Sequence, residues 1–143
     1  MKACFMGLGY IGLPTAIIAA KYGIEVVGVD VNQEVVDTTN SGKLHIVEEG
    51  LEELLKEVIA SGKFKAYARP QVADAYFIVV PTPFKGNHKP DISFVEVATK
   101  MVLPLLKEGD LFVIESTSPV GTTEKMAELI FESRPELKGK LHI

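Results

Sequence analysis

Three glycines in the run Gly7-Leu8-Gly9-Tyr10-Ile11-Gly12 constrain this chain more than any other feature. Their spacing alone is a weak signal, because glycines at that interval occur in many loops. The setting narrows it. Upstream, Ala3-Cys4-Phe5-Met6 is an unbroken apolar run, the pattern of a strand covered on both faces of a parallel sheet. Downstream, residues 13–22 are rich in Ala, Ile and Leu and read as a helix that Gly23 stops. Pro14 fits only near its first turn, where backbone N–H groups lack intrahelical partners. At a junction of strand and helix the glycines have separate tasks. Gly7 permits the tight turn, Gly9 lets the backbone approach a pyrophosphate, and Gly12 lets the helix press on the strand. The N–H groups at the helix start, reinforced by its dipole, then face the phosphates. The bland alternative is a glycine-rich turn without a ligand.

The second strand bears on that choice. Glu25-Val26-Val27-Gly28-Val29 is β-branched and apolar and ends at Asp30, 18 residues after Gly12. That spacing is close to the roughly 20 expected for a carboxylate accepting hydrogen bonds from adenosine ribose hydroxyls. An aspartate there repels a 2′-phosphate, and Val31 and Asn32 supply no arginine to neutralise one. NAD is therefore expected in preference to NADP. The competing reading is an ordinary acidic residue at a strand end.

Composition excludes several classes. A chain of 143 residues suffices for one domain, burying about two-thirds of the surface its unfolded form exposes. The net charge is −4 and the fifteen Lys and Arg residues are scattered, so no nucleic-acid partner is expected. An anionic ligand is then left to backbone amides and a helix end. No apolar run nears the roughly 18 residues a bilayer span needs, and the N-terminus carries no signal-peptide pattern. No membrane partner is expected, and the cytoplasm is the expected compartment. Cys4, the single cysteine, reads as an inert core thiol. His45 has no second histidine or acidic partner at a metal-ligand interval, so it is read as solvated and no metal site is expected.

Further along, residues 32–40 read as a short helix with Val35 and Val36 inward. Residues 48–60 form another, with Leu51, Leu54, Leu55, Val58 and Ile59 on one face. Residues 64–68 suggest a brief strand and 70–75 a short connecting helix or turn. The apolar strand at 76–80 stops at Pro81-Thr82-Pro83-Phe84. Ligands of open α/β sheets lie beyond the carboxyl ends of the strands, which makes Thr82 a candidate cofactor contact. Alternatively, the two prolines simply end the strand. The polar stretch 85–90 either covers an anionic substrate or is a surface loop. Ser93 and Glu96 have capping-box form at a helix whose inner stripe is Val95, Ala98, Val102 and Leu105, with Pro104 kinking or ending it. The strand at 111–114 leads into Glu115-Ser116-Thr117-Ser118-Pro119. Ser118 as cap and Pro119 at the first helical position account for two of these residues. Thr117 is left at the same carboxyl edge, where a nicotinamide would lie, with a hydroxyl able to position the reactive end of the cofactor or a water. A helix over 121–134 carries Met126, Leu129 and Ile130, and 140–143 opens one more strand. The sum is an α/β chain, a single Rossmann-type domain with a doubly wound, mostly parallel sheet.

Gly7 to Pro14, Val29-Asp30-Val31-Asn32, Ile46-Val47-Glu48, Val80-Pro81-Thr82-Pro83-Phe84 and Glu115-Ser116-Thr117-Ser118-Pro119-Val120-Gly121 resemble the N-terminal NAD-binding domain of the nucleotide-sugar dehydrogenases, the UDP-glucose/GDP-mannose dehydrogenase family. The resemblance runs from end to end of the chain. It implies a four-electron oxidation of a sugar 6-hydroxymethyl to a carboxylate with two NAD, a UDP-sugar as substrate, and a homo-oligomeric full-length enzyme. By the same resemblance Gly7, Gly9 and Gly12 form the phosphate turn, the Tyr10 and Ile11 amides meet the pyrophosphate, and Asp30 binds the ribose. Thr82 and Thr117 contact the cofactor, and Thr117 is the one catalytic candidate here, near the reacting carbon. Glu49 departs from the pattern, standing where relatives usually carry a proline before Gly50. The family's nucleophilic cysteine, with its lysine and asparagine helpers, belongs to a later domain. Residues 1–143 are thus expected to be the NAD-binding domain, with the central and C-terminal UDP-sugar domains outside this chain, and to bind NAD without dehydrogenase activity. Two other readings stay open: a free-standing NAD-binding module, and a β-hydroxyacid type of dehydrogenase, which shares the glycine turn but gives no reason for Glu-Ser-Thr-Ser-Pro.

Overall fold

The apolar run at the N-terminus is explained by helices on both faces of one sheet. In the computed structural model, which describes all 143 residues, the order is β1 (Lys2–Met6), α1 (Gly12–Lys21), β2 (Glu25–Val29), α2 (Gln33–Asn40), α3 (Leu51–Ala60), β3 (Phe64–Tyr67), β4 (Ala75–Ile78), β5 (Phe84–Lys85), β6 (Lys89–Pro90), α4 (Ser93–Val102), β7 (Leu111–Ile114) and α5 (Thr122–Ser133). Five strands form one wholly parallel sheet in the order β3-β2-β1-β4-β7, so the chain winds outward in both directions from β1. Side chains of β1 alternate between two cores. Ala3 and Phe5 pack with α1 and α3 on one face, while Cys4 and Met6 pack with α4 and α5 on the other. Near the C-terminus, Leu111 and His142 form a parallel bridge, the start of a sixth strand beside β7. No helix is long and apolar enough to cross a membrane.

Several boundaries differ from the sequence reading, each for a local reason. α3 begins at Leu51 rather than at 48, because Gly50 takes φ +75 and turns the chain immediately before it. Residues 70–74 form no helix; the Ala73 N–H donates to the buried Tyr76 hydroxyl at 2.9 Å and holds the connection extended into β4. β4 ends at Ile78, two residues early. Val79 N–H still reaches the Met6 carbonyl at 2.8 Å, but the Val80 carbonyl turns to accept from Ser116 Oγ. The stretch 85–90 folds into a small antiparallel hairpin of β5 and β6, with Asn87 and His88 both at positive φ in its turn.

Neither expected helix cap forms. At α4 the capping oxygen belongs to Asp91, which accepts from Ser93 N–H at 2.9 Å, and Glu96 pairs with Lys125 instead. Asp91 is anchored in turn by Lys85 of the hairpin at 3.0 Å. At α5 the chain passes Ser118 and Pro119 without starting the helix and enters it through Gly121 at φ +90; Thr122 Oγ1 donates back to the Pro119 carbonyl at 2.8 Å. After α4, Pro104 lies in a short 3-10 turn, Leu103–Leu105, so it ends the helix without kinking it.

Candidate functional site

The carboxyl ends of β1, β2, β4 and β7 open onto a cleft of about 290 Å³. Gly7, Gly9, Tyr10, Ile11, Asp30, Thr82 and Thr117 all line it, so residues spread over more than a hundred positions of sequence meet at one edge. Gly12 does not line it. It is buried beneath the turn, where an added Cβ would lie 2.0 Å from the Gly7 carbonyl oxygen. Its place is packing, as the close approach of helix to strand requires. Gly7 is equally confined: at φ +112 its Cβ would meet the Val79 carbonyl at 2.2 Å. Gly9 differs from both. A Cβ there meets no protein atom within 4 Å, so the turn is closed on its protein side and open at Gly9, where a phosphate can approach.

The turn is held down while its donors stay free. Gly7 N–H donates to Val29 O at 2.8 Å, and the Leu8 side chain is fully buried over Gly28 of β2. The N–H groups of Gly9, Tyr10, Ile11 and Gly12 donate to no protein acceptor, and the next helical bonds begin with Leu13 N–H to Gly9 O. These free amides carry the partial positive charge of the α1 start, which suits a diphosphate. No lysine or arginine lines the cleft, so backbone is its only source of positive charge.

Asp30 is positioned by the same backbone. One carboxylate oxygen accepts from Leu8 N–H at 3.2 Å and the other from Asn32 N–H at 2.9 Å, tying the ends of β1 and β2 together. Asn32 then caps α2 through Glu34 N–H at 3.0 Å. The hydroxyls of Thr82, half-buried, and Thr117, exposed, have no hydrogen-bond partner within the protein. Their loops are locked to each other by Ser116, whose Oγ lies 2.8 Å from the Val80 carbonyl and 3.2 Å from that of Ile78, while Glu115 N–H donates to Ile78 at 2.9 Å. Ser116 is a positioning residue that the sequence reading passed over.

A second, mostly apolar slot of about 230 Å³ adjoins the first, lined chiefly by Val29, Val31, Pro81, Phe94, Val97 and Met101. Gly7, Asp30, Val80 and Pro81 line both spaces. Phe94, Val97 and Met101 were also missed, although a signal was available. They recur at i, i+3 and i+7 beside the core stripe of α4, Met101 packing partly against the core and Phe94 and Val97 standing outside it. Phe94 and Val97 are 49% and 54% exposed.

The strand order, the glycine turn with free amides and the carboxylate at the end of β2 define a dinucleotide-binding α/β domain. The chain belongs to the UDP-glucose/GDP-mannose dehydrogenase family, whose NAD binding domain matches residues 1–143. It is 54% identical over 137 residues to the UDP-N-acetyl-D-mannosamine dehydrogenase of Campylobacter jejuni, covering 95% of this chain and 34% of that protein. The Escherichia coli K12 protein of the same name is 53% identical over 132 residues, covering 92% and 31%. Among solved structures, the UDP-N-acetyl-mannosamine dehydrogenase Cap5O of Staphylococcus aureus superposes with a TM-score of 0.91 at 40% identity, covering 94% of this chain and 33% of that one. The chain thus spans about a third of the relatives it matches. NAD is the cofactor of the family's matching domain.

Proposed function

We propose that this chain is the cofactor-binding domain of a UDP-N-acetyl-D-mannosamine 6-dehydrogenase, which oxidises the sugar 6-hydroxymethyl to a carboxylate in a four-electron reaction with two NAD. The observation that carries the reading is the position of Asp30 between two unlike spaces: an apolar slot on one side and a turn of free amides on the other. An adenosine diphosphate has that order of parts. The slot of Phe94, Val97 and Met101 takes the adenine, Asp30 accepts from the ribose hydroxyls, and the Tyr10 and Ile11 amides donate to the diphosphate. When bound, NAD supplies a hydride acceptor. The residues of this chain hold it: Thr82 and Thr117 border its nicotinamide end, and the Thr117 hydroxyl fixes a water or the reactive end near the reacting carbon.

The identity to relatives of that name supports the choice of sugar. The nucleophile comes from outside these residues. Cys4 is fully buried in β1, and burial pushes its thiol up to about 11, which keeps it protonated and out of reach. The central and C-terminal sugar domains complete the active site, and the full-length enzyme works as a cytoplasmic homo-oligomer that supplies uronic acid for polysaccharide synthesis.

Titration calorimetry of the chain with NAD and NADP tests the cofactor part. NAD binds tighter by about tenfold or more, since Asp30 opposes a 2′-phosphate with no cation beside it. Equal or tighter NADP binding contradicts the assignment. The chain alone yields no NADH from UDP-N-acetylmannosamine, whereas the full-length enzyme, set against a panel of UDP-sugars, turns this one over fastest. Faster turnover of UDP-glucose moves the assignment to a UDP-glucose 6-dehydrogenase.

A further inference from the structure

Two charged side chains line the main cleft, Asp30 and Glu115, and both are acidic. Asp30 is committed to two backbone amides. Glu115 is not. Its one polar side-chain contact is Thr15 Oγ1 at 3.5 Å, the outer limit of a hydrogen bond, and that hydroxyl already donates to the Ile11 carbonyl at 2.9 Å. The backbone beneath it is fixed, with Glu115 N–H on Ile78 O and Ser116 Oγ on Val80 O. A free carboxylate is thus held on a rigid loop at a cleft whose other offerings to an anion are neutral amides. Its long contact to Thr15 adds little to the fold, and close to a diphosphate a carboxylate would weaken binding. Its place along the cleft resolves this. Asp30 ends β2, on one side of the central strand, whereas Glu115 follows β7, two strands away on the other side and two residues before Thr117.

We propose that Glu115 is a specificity-determining residue that makes the site prefer oxidised over reduced cofactor. The inference rests on the reading above, in which NAD extends from Asp30 toward Thr82 and Thr117. The oxidised nicotinamide ring carries a positive charge that the reduced ring lacks, while adenosine and diphosphate are the same in both. A carboxylate at the nicotinamide end therefore attracts one form and is indifferent to the other. For a partly solvated charge the preference amounts to about three- to tenfold in affinity. The consequence falls on a reaction that uses two NAD in succession. Reduced cofactor must leave and oxidised cofactor enter between the two oxidations, and a site that favours the oxidised form drives that exchange forward.

Calorimetric titration of the chain and of Glu115→Gln with NAD, NADH and ADP-ribose tests this, with thermal unfolding as a check on folding. The substitution weakens NAD by about three- to tenfold and leaves NADH and ADP-ribose unchanged, while Glu115→Asp retains the preference in part. An unchanged ratio of NAD to NADH affinity overturns the proposal, as does a parallel gain for all three ligands, which would put the carboxylate beside the diphosphate. Failure of the unsubstituted chain to bind ADP-ribose overturns the cofactor reading and this proposal together. Tight ADP-ribose binding with an unchanged ratio overturns the proposal alone.

Discussion

The two edges of the central sheet carry similar residue types and use them in opposite ways. At the amino edge, Lys107 Nζ contacts the Ala73 carbonyl at 2.9 Å, Asp74 at 3.4 Å and the Asp110 carboxylate. Asp110, 1% exposed, also accepts from Lys107 N–H at 2.9 Å, and Asp74 accepts from Lys2 N–H at 2.8 Å. The Lys2 amide and then Lys107 hold Asp74 below the usual carboxylate range, and Asp110 raises Lys107 above its ordinary value. Each of these three charged side chains has an internal partner. At the carboxyl edge, four amides of the glycine turn, the hydroxyls of Thr82 and Thr117, and the Glu115 carboxylate have none that satisfies them. Aspartates and lysines therefore do not by themselves mark a site. A site is marked by polar groups that the fold positions firmly and then leaves unsatisfied.

Substitutions at the two edges should separate accordingly. The largest effect is expected from Gly12→Ala, whose Cβ would lie 2.0 Å from backbone at Gly7. We expect a loss of about 3 kcal/mol or more in urea unfolding, with NAD binding lost as the turn is displaced. Stability within 1 kcal/mol of the parent, on the order of an ordinary surface change, would show that the turn relaxes freely. Asp110→Ala comes next. It removes the acceptor at the closed edge and should cost about 2 kcal/mol, a value reduced by the half-exposed Lys107, with NAD affinity unchanged. A matching fall in NAD affinity would mean that the two edges are coupled. The smallest effect belongs to Asp91→Asn, an internally paired acidic group near the open edge. The Ser93 N–H, and after it Lys85, holds the Asp91 carboxyl below its ordinary value of 3.8. Its contribution is complete above that value and is lost as pH falls through the lower folded value. The gap in Tm between parent and variant should therefore close under acid conditions, and a gap that persists there rules out the charge as its source.

Legibility in the sequence followed the range of the interaction. β2 and β7 were readable to the residue, because an apolar β-branched run with a turn at its end is a local signal. Asp30 and the glycine turn were readable through their spacing, and Thr82 and Thr117 through their position after apolar strands. Helix starts were harder. Ser93 and Ser118 are good caps in isolation, yet the cap at α4 went to Asp91 and the entry to α5 to Gly121, both settled by how the chain arrives from the preceding loop. Ser116 was hidden because its partners, Ile78 and Val80, lie 38 and 36 positions away. The slot of Phe94, Val97 and Met101 was overlooked for a different reason. Exposed apolar residues on a helix are common, and only the neighbouring ends of β1, β2 and β4 turn these three into a lining.

Gly9→Ala offers the most direct test of the claim that this turn is a diphosphate seat. Its Cβ meets nothing in the protein, so the unfolding free energy should stay within about 1 kcal/mol of the parent. The same methyl group occupies the open side of the turn, and the affinity for NAD should fall by about thirtyfold or more. NAD titration and urea unfolding of this one variant give both numbers. Preserved stability with lost NAD binding is the expected result, and preserved stability with unchanged NAD binding would contradict the account.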